Sequence, residues 1–93
     1  MALLGKYKKQ PTETLDYDMD YSDWFNNRAD SPMLSYAEAE PGITLVSWVL
    51  IGKVVKVTLA GGVDGVTYKV TTRLTTDSGI IREGDFAVTV REV

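Results

Sequence analysis

Apolar and polar residues alternate along this chain in short runs, broken at intervals by glycine, proline or asparagine. From Thr12 to Tyr21, the residues Leu15, Tyr17, Met19 and Tyr21 fall on one side and Asp16, Asp18 and Asp20 on the other. This is the period-two pattern of a half-buried strand. Ser22 is placed to cap a short helical turn through Asp23-Trp24-Phe25-Asn26-Asn27, with an aspartate suited to the exposed amides of a first turn. A strand is expected over residues 33–40, where Leu34, Tyr36 and Glu38 oppose Met33, Ser35, Ala37 and Ala39; the pattern leaves open which set faces inward. Pro41-Gly42 turns the chain. Residues 43–51 are apolar almost throughout, which predicts a central strand covered on both faces, or one at a sheet junction, with Trp48 in the core.

Past the short turn Gly52-Lys53, residues 54–59 form the next predicted strand, followed by a glycine-rich corner, Gly61-Gly62-Val63-Asp64-Gly65. Residues 67–76 alternate again, with Tyr68, Val70, Thr72 and Leu74 on one face. Thr76-Asp77-Ser78-Gly79 makes a hairpin turn, and residues 80–93 return as a last strand in which Phe86, Val88 and Val90 share a face. Short β-branched runs at roughly ten-residue spacing and no long helix indicate an all-β fold. Tyr68 follows the corner as the inward-turned tyrosine does in the penultimate strand of immunoglobulin-like and fibronectin-like sandwiches. The predicted fold is an immunoglobulin-like or fibronectin-III-like antiparallel β-sandwich of six or seven strands with one short helical turn. Residues 1–11, ending in Gln10-Pro11, lack a lasting period and read as a flexible N-terminal arm ahead of a single domain over residues 12–93.

Composition narrows the function. The chain has 93 residues, one domain's worth, and no apolar run approaches the roughly 20 residues of a membrane helix. The N-terminal Met-Ala-Leu-Leu is too short for a secretory h-region, so no export is expected. There is no cysteine and no histidine, which removes thiolate chemistry, disulfides and the commonest general base and metal ligand. With a net charge of −3 and one basic cluster at Lys6, Lys8 and Lys9, no overall field favours a nucleic-acid backbone. Without histidine a serine nucleophile would need a lysine, and no Ser-x-x-Lys occurs. Gly61-Gly62 and Gly65 are not followed by a lysine-bearing helix, so they supply positive φ in a corner and do not cradle phosphate. No catalytic residue, cofactor or metal is expected. The acidic series Asp16, Asp18, Asp20 and Asp23 fails as a calcium loop, because Tyr21 stands where glycine belongs and Asn27 where the bidentate acid belongs. Those aspartates read as a solvated strand face that discourages stray pairing, or as a docking surface for a basic partner.

The stretch Leu59-x-Gly61-Gly62-x-x-Gly65-x-x-Tyr68-x-Val70-Thr71-x-x-Leu74-Thr75-Thr76-x-x-Gly79, followed by Glu83 and Phe86-x-Val88-x-Val90, resembles a family of small structural proteins of tailed bacteriophages, of fibre-tail adaptor or neck-region type. The acidic-aromatic run Asp16 to Phe25 and the step Gly42-Ile43-Thr44 resemble it too, so the likeness covers nearly everything beyond the arm. After Gly79 the chain departs from the pattern, with Ile80-Ile81 before the basic Arg82. The resemblance implies a non-enzymatic adaptor at a head-tail junction, neck or tail, found in the virion or in the host cytoplasm during assembly. Its partners would be other virion proteins and copies of itself, with no nucleic acid, membrane or small-molecule substrate.

On that reading the expected contacts are Lys6, Tyr7, Lys8 and Lys9 on the arm, then Asp16, Asp18, Asp20, Asp23 and Phe25. A basic arm and an acidic strand in one chain suit head-to-tail pairing that weakens with salt. Trp24 is expected as a lid on one end of the core, and Trp48, Gly61, Gly62, Gly65 and Tyr68 as structural residues. The rival reading is a stand-alone carbohydrate-binding or adhesion module, which would display a row of aromatics such as Tyr17, Tyr21 and Tyr36.

Overall fold

The computed structural model describes residues 3–92. Met1, Ala2 and Val93, which belong to the expected arm and last strand, lie outside the described residues. The alternating runs become β1 (Leu3–Lys9), β2 (Thr14–Asp20), β3 (Pro32–Ala39), β4 (Ile43–Ile51), β5 (Val54–Gly61), β6 (Thr67–Thr76) and β7 (Ile81–Val90), with the helical turn α1 (Ser22–Phe25) between β2 and β3. One sheet has the order β1-β7-β6-β3 and the other β2-β5-β4. From β2 onward the partition is that of constant-type immunoglobulin domains, with the second, fifth and fourth strands facing the third, sixth and seventh.

The two inner faces meet in a core of alternating residues. Tyr17 and Met19 come from β2, Val55, Val57 and Leu59 from β5, Tyr68, Val70 and Leu74 from β6, and Phe86, Val88 and Val90 from β7. One polar knot crosses this core. The Tyr21 hydroxyl lies 2.6 Å from Thr72 Oγ1, and that oxygen in turn donates to the Gly84 carbonyl at 3.1 Å. Burial pushes the Tyr21 phenol up, opposed by the Thr72 hydrogen bond. At the corner, Gly61, Gly62 and Gly65 adopt φ of +71°, +99° and +88°. The Val63 N–H donates to Tyr68 Oη at 3.0 Å, which ties the corner to the start of β6.

Several sequence expectations need correction. Residues 3–9 are a strand that pairs parallel with β7, not an unstructured arm. Tyr7 and Lys9 face inward there while Lys6 and Lys8 face out, and a lysine at an inward position disguises the alternation. Lys9 is buried, with Nζ donating to the carbonyls of Gln10 at 2.7 Å and Gly61 at 2.6 Å, so it clamps β1 to the end of β5. Burial depresses its pKa, partly offset by Glu13. Ser22 does not cap α1: the cap position is Tyr21, and Asp20 Oδ1 accepts from both the Ser22 N–H and its hydroxyl. β4 is an edge strand rather than a central one, and Trp48 is 39% exposed rather than in the core. It also lies on the fourth strand, whereas the tryptophan of immunoglobulin domains lies on the third.

Asp30 fastens the β6–β7 turn to the segment ahead of β3. Its carboxylate accepts from the Ser78 hydroxyl at 2.6 Å and from the Ser31 N–H at 2.9 Å, and these bonds, with Thr76 nearby, hold its pKa down at about 2. A carboxylate whose folded pKa is depressed stabilises the fold above its unfolded pKa, and that contribution disappears as pH falls through the folded value. The wild-type chain is therefore expected to lose stability between 3.8 and about 2 in pH, and Asp30→Asn to lose less over the same window. Urea titrations at matched pH measure this, and parallel pH profiles for the two proteins would remove Asp30 from the account.

Candidate functional site

Two sheets packed face to face, in a molecule 45 × 22 × 18 Å, leave function to outer faces, edges and ends. The hollows are shallow. One at the β3 edge is lined by Glu38, Ala39, Glu40, Lys69 and Thr71, and one beside α1 by Asp20, Tyr21, Asp23, Trp24 and Arg82. Among the described residues no three acidic side chains gather as a metal-binding group, and no helix is long and apolar enough to cross a membrane.

Alternation of β2 places Asp16, Asp18 and Asp20 on the outer face of its sheet, but the neighbouring strand answers them. Lys56 Nζ on β5 lies 3.1 Å from Asp16 and 2.9 Å from Asp18. The ammonium holds the Asp16 carboxyl below the usual range, while the hydrogen bonds that Lys56 donates to Asp18 and Asp16 raise its own pKa. Asp20 is lowered by its hydrogen bonds from Ser22. The acidic strand is thus a partly compensated ladder and not a bare negative stripe, which limits its pull on a basic partner. Exposed pairs of this kind contribute little to stability.

Lys6 and Lys8 sit exposed on the outer face of the other sheet, opposite Ala87 and Thr89 of β7. Tyr7 is half-exposed at the β1 margin, its ring 5.1 Å from that of Tyr17 and edge-on to Phe86 at 5.5 Å. Lys9 and Phe25 do not reach the surface. Phe25 is 3% exposed, so the expectation that it anchors a partner gives way to a core role beneath the helical turn. Trp24 packs edge-on against it at 4.9 Å and carries the Arg28 guanidinium 4.4 Å above its ring. Asp23 is exposed beside the same hollow. Tyr17 and Tyr21 are buried, which leaves Tyr36 as the exposed member of the aromatic row that a carbohydrate-binding face would need.

The edge formed by β3 and β4 is the surface the sequence pattern does not reveal. On β3 the small residues Ser35, Ala37 and Ala39 pair with inward-facing Leu74, Thr72 and Val70, which turns Leu34 and Tyr36 outward. Tyr36 packs against Arg73, which also bonds Glu83 at 2.9 Å. Trp48 leans across from β4, donating Nε1–H to the Ser35 carbonyl at 3.2 Å and meeting Tyr36 edge-on at 5.5 Å. Val46 at the β4 bulge, with Val49 and Ile51 beyond it, is exposed. An apolar strip therefore wraps this edge. The mostly apolar run of residues 43–51 is its sequence signal, and a strand covered on both faces carries the same signal.

The model of a protein family described as podophage GP4 fiber-tail adaptor protein gp77 matches residues 9–91, which takes in everything from the end of β1 through β7. No curated protein matches the chain.

Proposed function

We propose that this chain, which belongs to the podophage GP4 fiber-tail adaptor family, joins tail to fibre in a phage particle by protein–protein docking. A structural adaptor role in a phage particle is what the family carries; the match over residues 9–91 is the observation on which this reading rests. The geometry supports the docking mechanism in physical terms. The hollows described among residues 3–92 are shallow and shelter little from water, whereas broad, preformed strand edges and faces suit partners that change shape little on binding. Lys6, Lys8, Asp16, Asp18 and Asp23 are the charged contacts we assign to virion partners. Their effect falls on the rate and register of assembly more than on its strength.

The test is made on particles. Quantitative mass spectrometry of purified virions is expected to find this chain at a fixed small copy number, and particles assembled without it are expected to have a tail but no attached fibres. Its absence from virions despite expression in the lysate, or normal fibre attachment without it, overturns the proposal.

A further inference from the structure

Four strands form the margins of the two sheets, and they differ in how they are guarded. β1 carries Lys6 and Lys8, β2 carries Asp16, Asp18 and Asp20, and β3 begins at Pro32 and carries Glu38. Charges and prolines on an edge discourage pairing with another chain. β4 has neither: Ile43–Ile51 contains no charged residue and no proline. It pairs on one side with β5, so on its other side alternate residues present unpaired backbone groups. Beside those groups lie Val46, Trp48, Val49 and Ile51, all substantially exposed, with the exposed Tyr36 ring packed against Trp48. A contiguous exposed apolar strip beside an unguarded edge marks a docking site on a soluble domain.

We propose that this edge receives the β4 of a second copy of this chain, antiparallel, so that the two β2-β5-β4 sheets run on as one. The charges select that occupant. Pairing about a twofold axis sets each edge against itself, and like charges directly opposite are destabilising, which disfavours β1 and β2, while β3 is guarded by Pro32 at its start and by Glu38. β4 is the edge that carries no charge to appose in any register. β2 of another copy is a poor alternative, since it would set Asp18 and Asp20 beside Val49 and Ile51.

The register follows from the pleat. Beyond the bulge at Val46, Trp48 and Leu50 lie opposite Val57 and Val55 on the inner face, while Ser47, Val49 and Ile51 lie opposite Thr58, Lys56 and Val54 on the outer face. An antiparallel pair centred on Val49 sets Val49 against Val49 of the second copy, Trp48 against Leu50, and Ser47 against Ile51. Inward residues then meet inward ones and outward meet outward, as a continuous sheet requires. The contact is isologous and closes at two copies. It is independent of the adaptor reading, because it is measured on the purified chain and not on particles.

Sedimentation equilibrium of the pure protein over roughly 20–200 µM, a range that detects micromolar dissociation constants, is expected to show a monomer–dimer equilibrium. Val49→Lys places two ammonium groups face to face across the axis and is expected to raise the dissociation constant about a hundredfold or more. Val49 is 48% exposed, so the fold should survive; near-ultraviolet circular dichroism checks that it does. A second measurement stands even if that variant fails to fold. The chain has no cysteine, so Val49→Cys supplies a single thiol at the axis and is expected to form a disulfide-linked dimer about tenfold faster than Lys6→Cys on the β1 edge, given Cβ atoms roughly 5 Å apart in a cross-strand pair. A monomer throughout the range, a dimer indifferent to Val49→Lys, assembly beyond two copies, or equal cross-linking at both thiols overturns the proposal.

Discussion

Phe86→Ala is expected to cost about 3–5 kcal/mol, the usual range for deleting a fully buried aromatic ring. A domain of this size has about 5–15 kcal/mol to lose, so the variant should stand near the edge of unfolding at room temperature. Phe86 is 1% exposed, and the rings of Tyr7 and Tyr17 lie 5.5 and 5.8 Å from it. Removing it takes the support from beneath β1 as well as from the core, because Tyr7 rests edge-on against it and β7 is the strand with which β1 pairs. Two readouts are therefore expected to move. The urea midpoint should fall sharply, and amide exchange in β1 should accelerate beyond what the drop in global stability explains. A loss below about 1 kcal/mol, at the level of a tolerated surface change, would show that the neighbours collapse into the gap and that the aromatic cluster is loosely built. A normal global loss with unchanged relative protection of β1 would show that Lys9, through its bonds to Gln10 and Gly61, holds that strand without help from Tyr7.

Gly62→Ala is expected to rank next. At φ +99° a side chain is strained wherever it points, and a Cβ built there would lie 2.6 Å from Val90 Cγ2. Val90 is fully buried in β7 and cannot swing aside without disturbing the core. Backbone strain of about 1–3 kcal/mol and overpacking of similar size together give a loss of about 2–6 kcal/mol. Gly65→Ala is the internal comparison, since it has φ +88° but nothing within 4 Å of the added methyl. Thermal unfolding of the pair separates the two causes, with strain in both variants and the clash in one. If Gly62→Ala loses no more than Gly65→Ala, the corner shifts to admit the methyl, and the close approach of Gly62 to β7 is not a constraint on the fold.

The legible parts of the sequence share a physical basis. Side chains on a strand alternate with a period of two, so Tyr17 and Met19, or Tyr68, Val70 and Leu74, are committed to one face by their own chain whatever lies beside it. Glycine runs and proline mark the corners for an equally local reason, because positive φ is inexpensive only for glycine. Boundaries of β4 and β6 therefore agree between pattern and structure to the residue. Local chemistry misleads where a side chain does two things at once. Lys9 is polar by type yet buried, since its ammonium finds two carbonyls at the end of the sandwich. Phe25 sits in a turn too short to have an amphipathic stripe, and only the closing of the sheets over it decides that it is inside.

What the sequence determined by itself is the strands β2 to β7, the faces of the alternating residues in β2, β6 and β7, and the corner built on Gly62 and Tyr68. Those depend on backbone geometry over a few residues. What only the tertiary structure decided is lateral position: that β1 joins β7, that Lys56 falls between Asp16 and Asp18, and that β4 lies at a margin with Trp48, Val49 and Ile51 in reach of solvent. The reason is that the order of strands in a sheet is set by pairings between residues far apart in the chain. An apolar strand has the same composition whether a neighbouring strand of its own molecule covers it or its edge is left open to another.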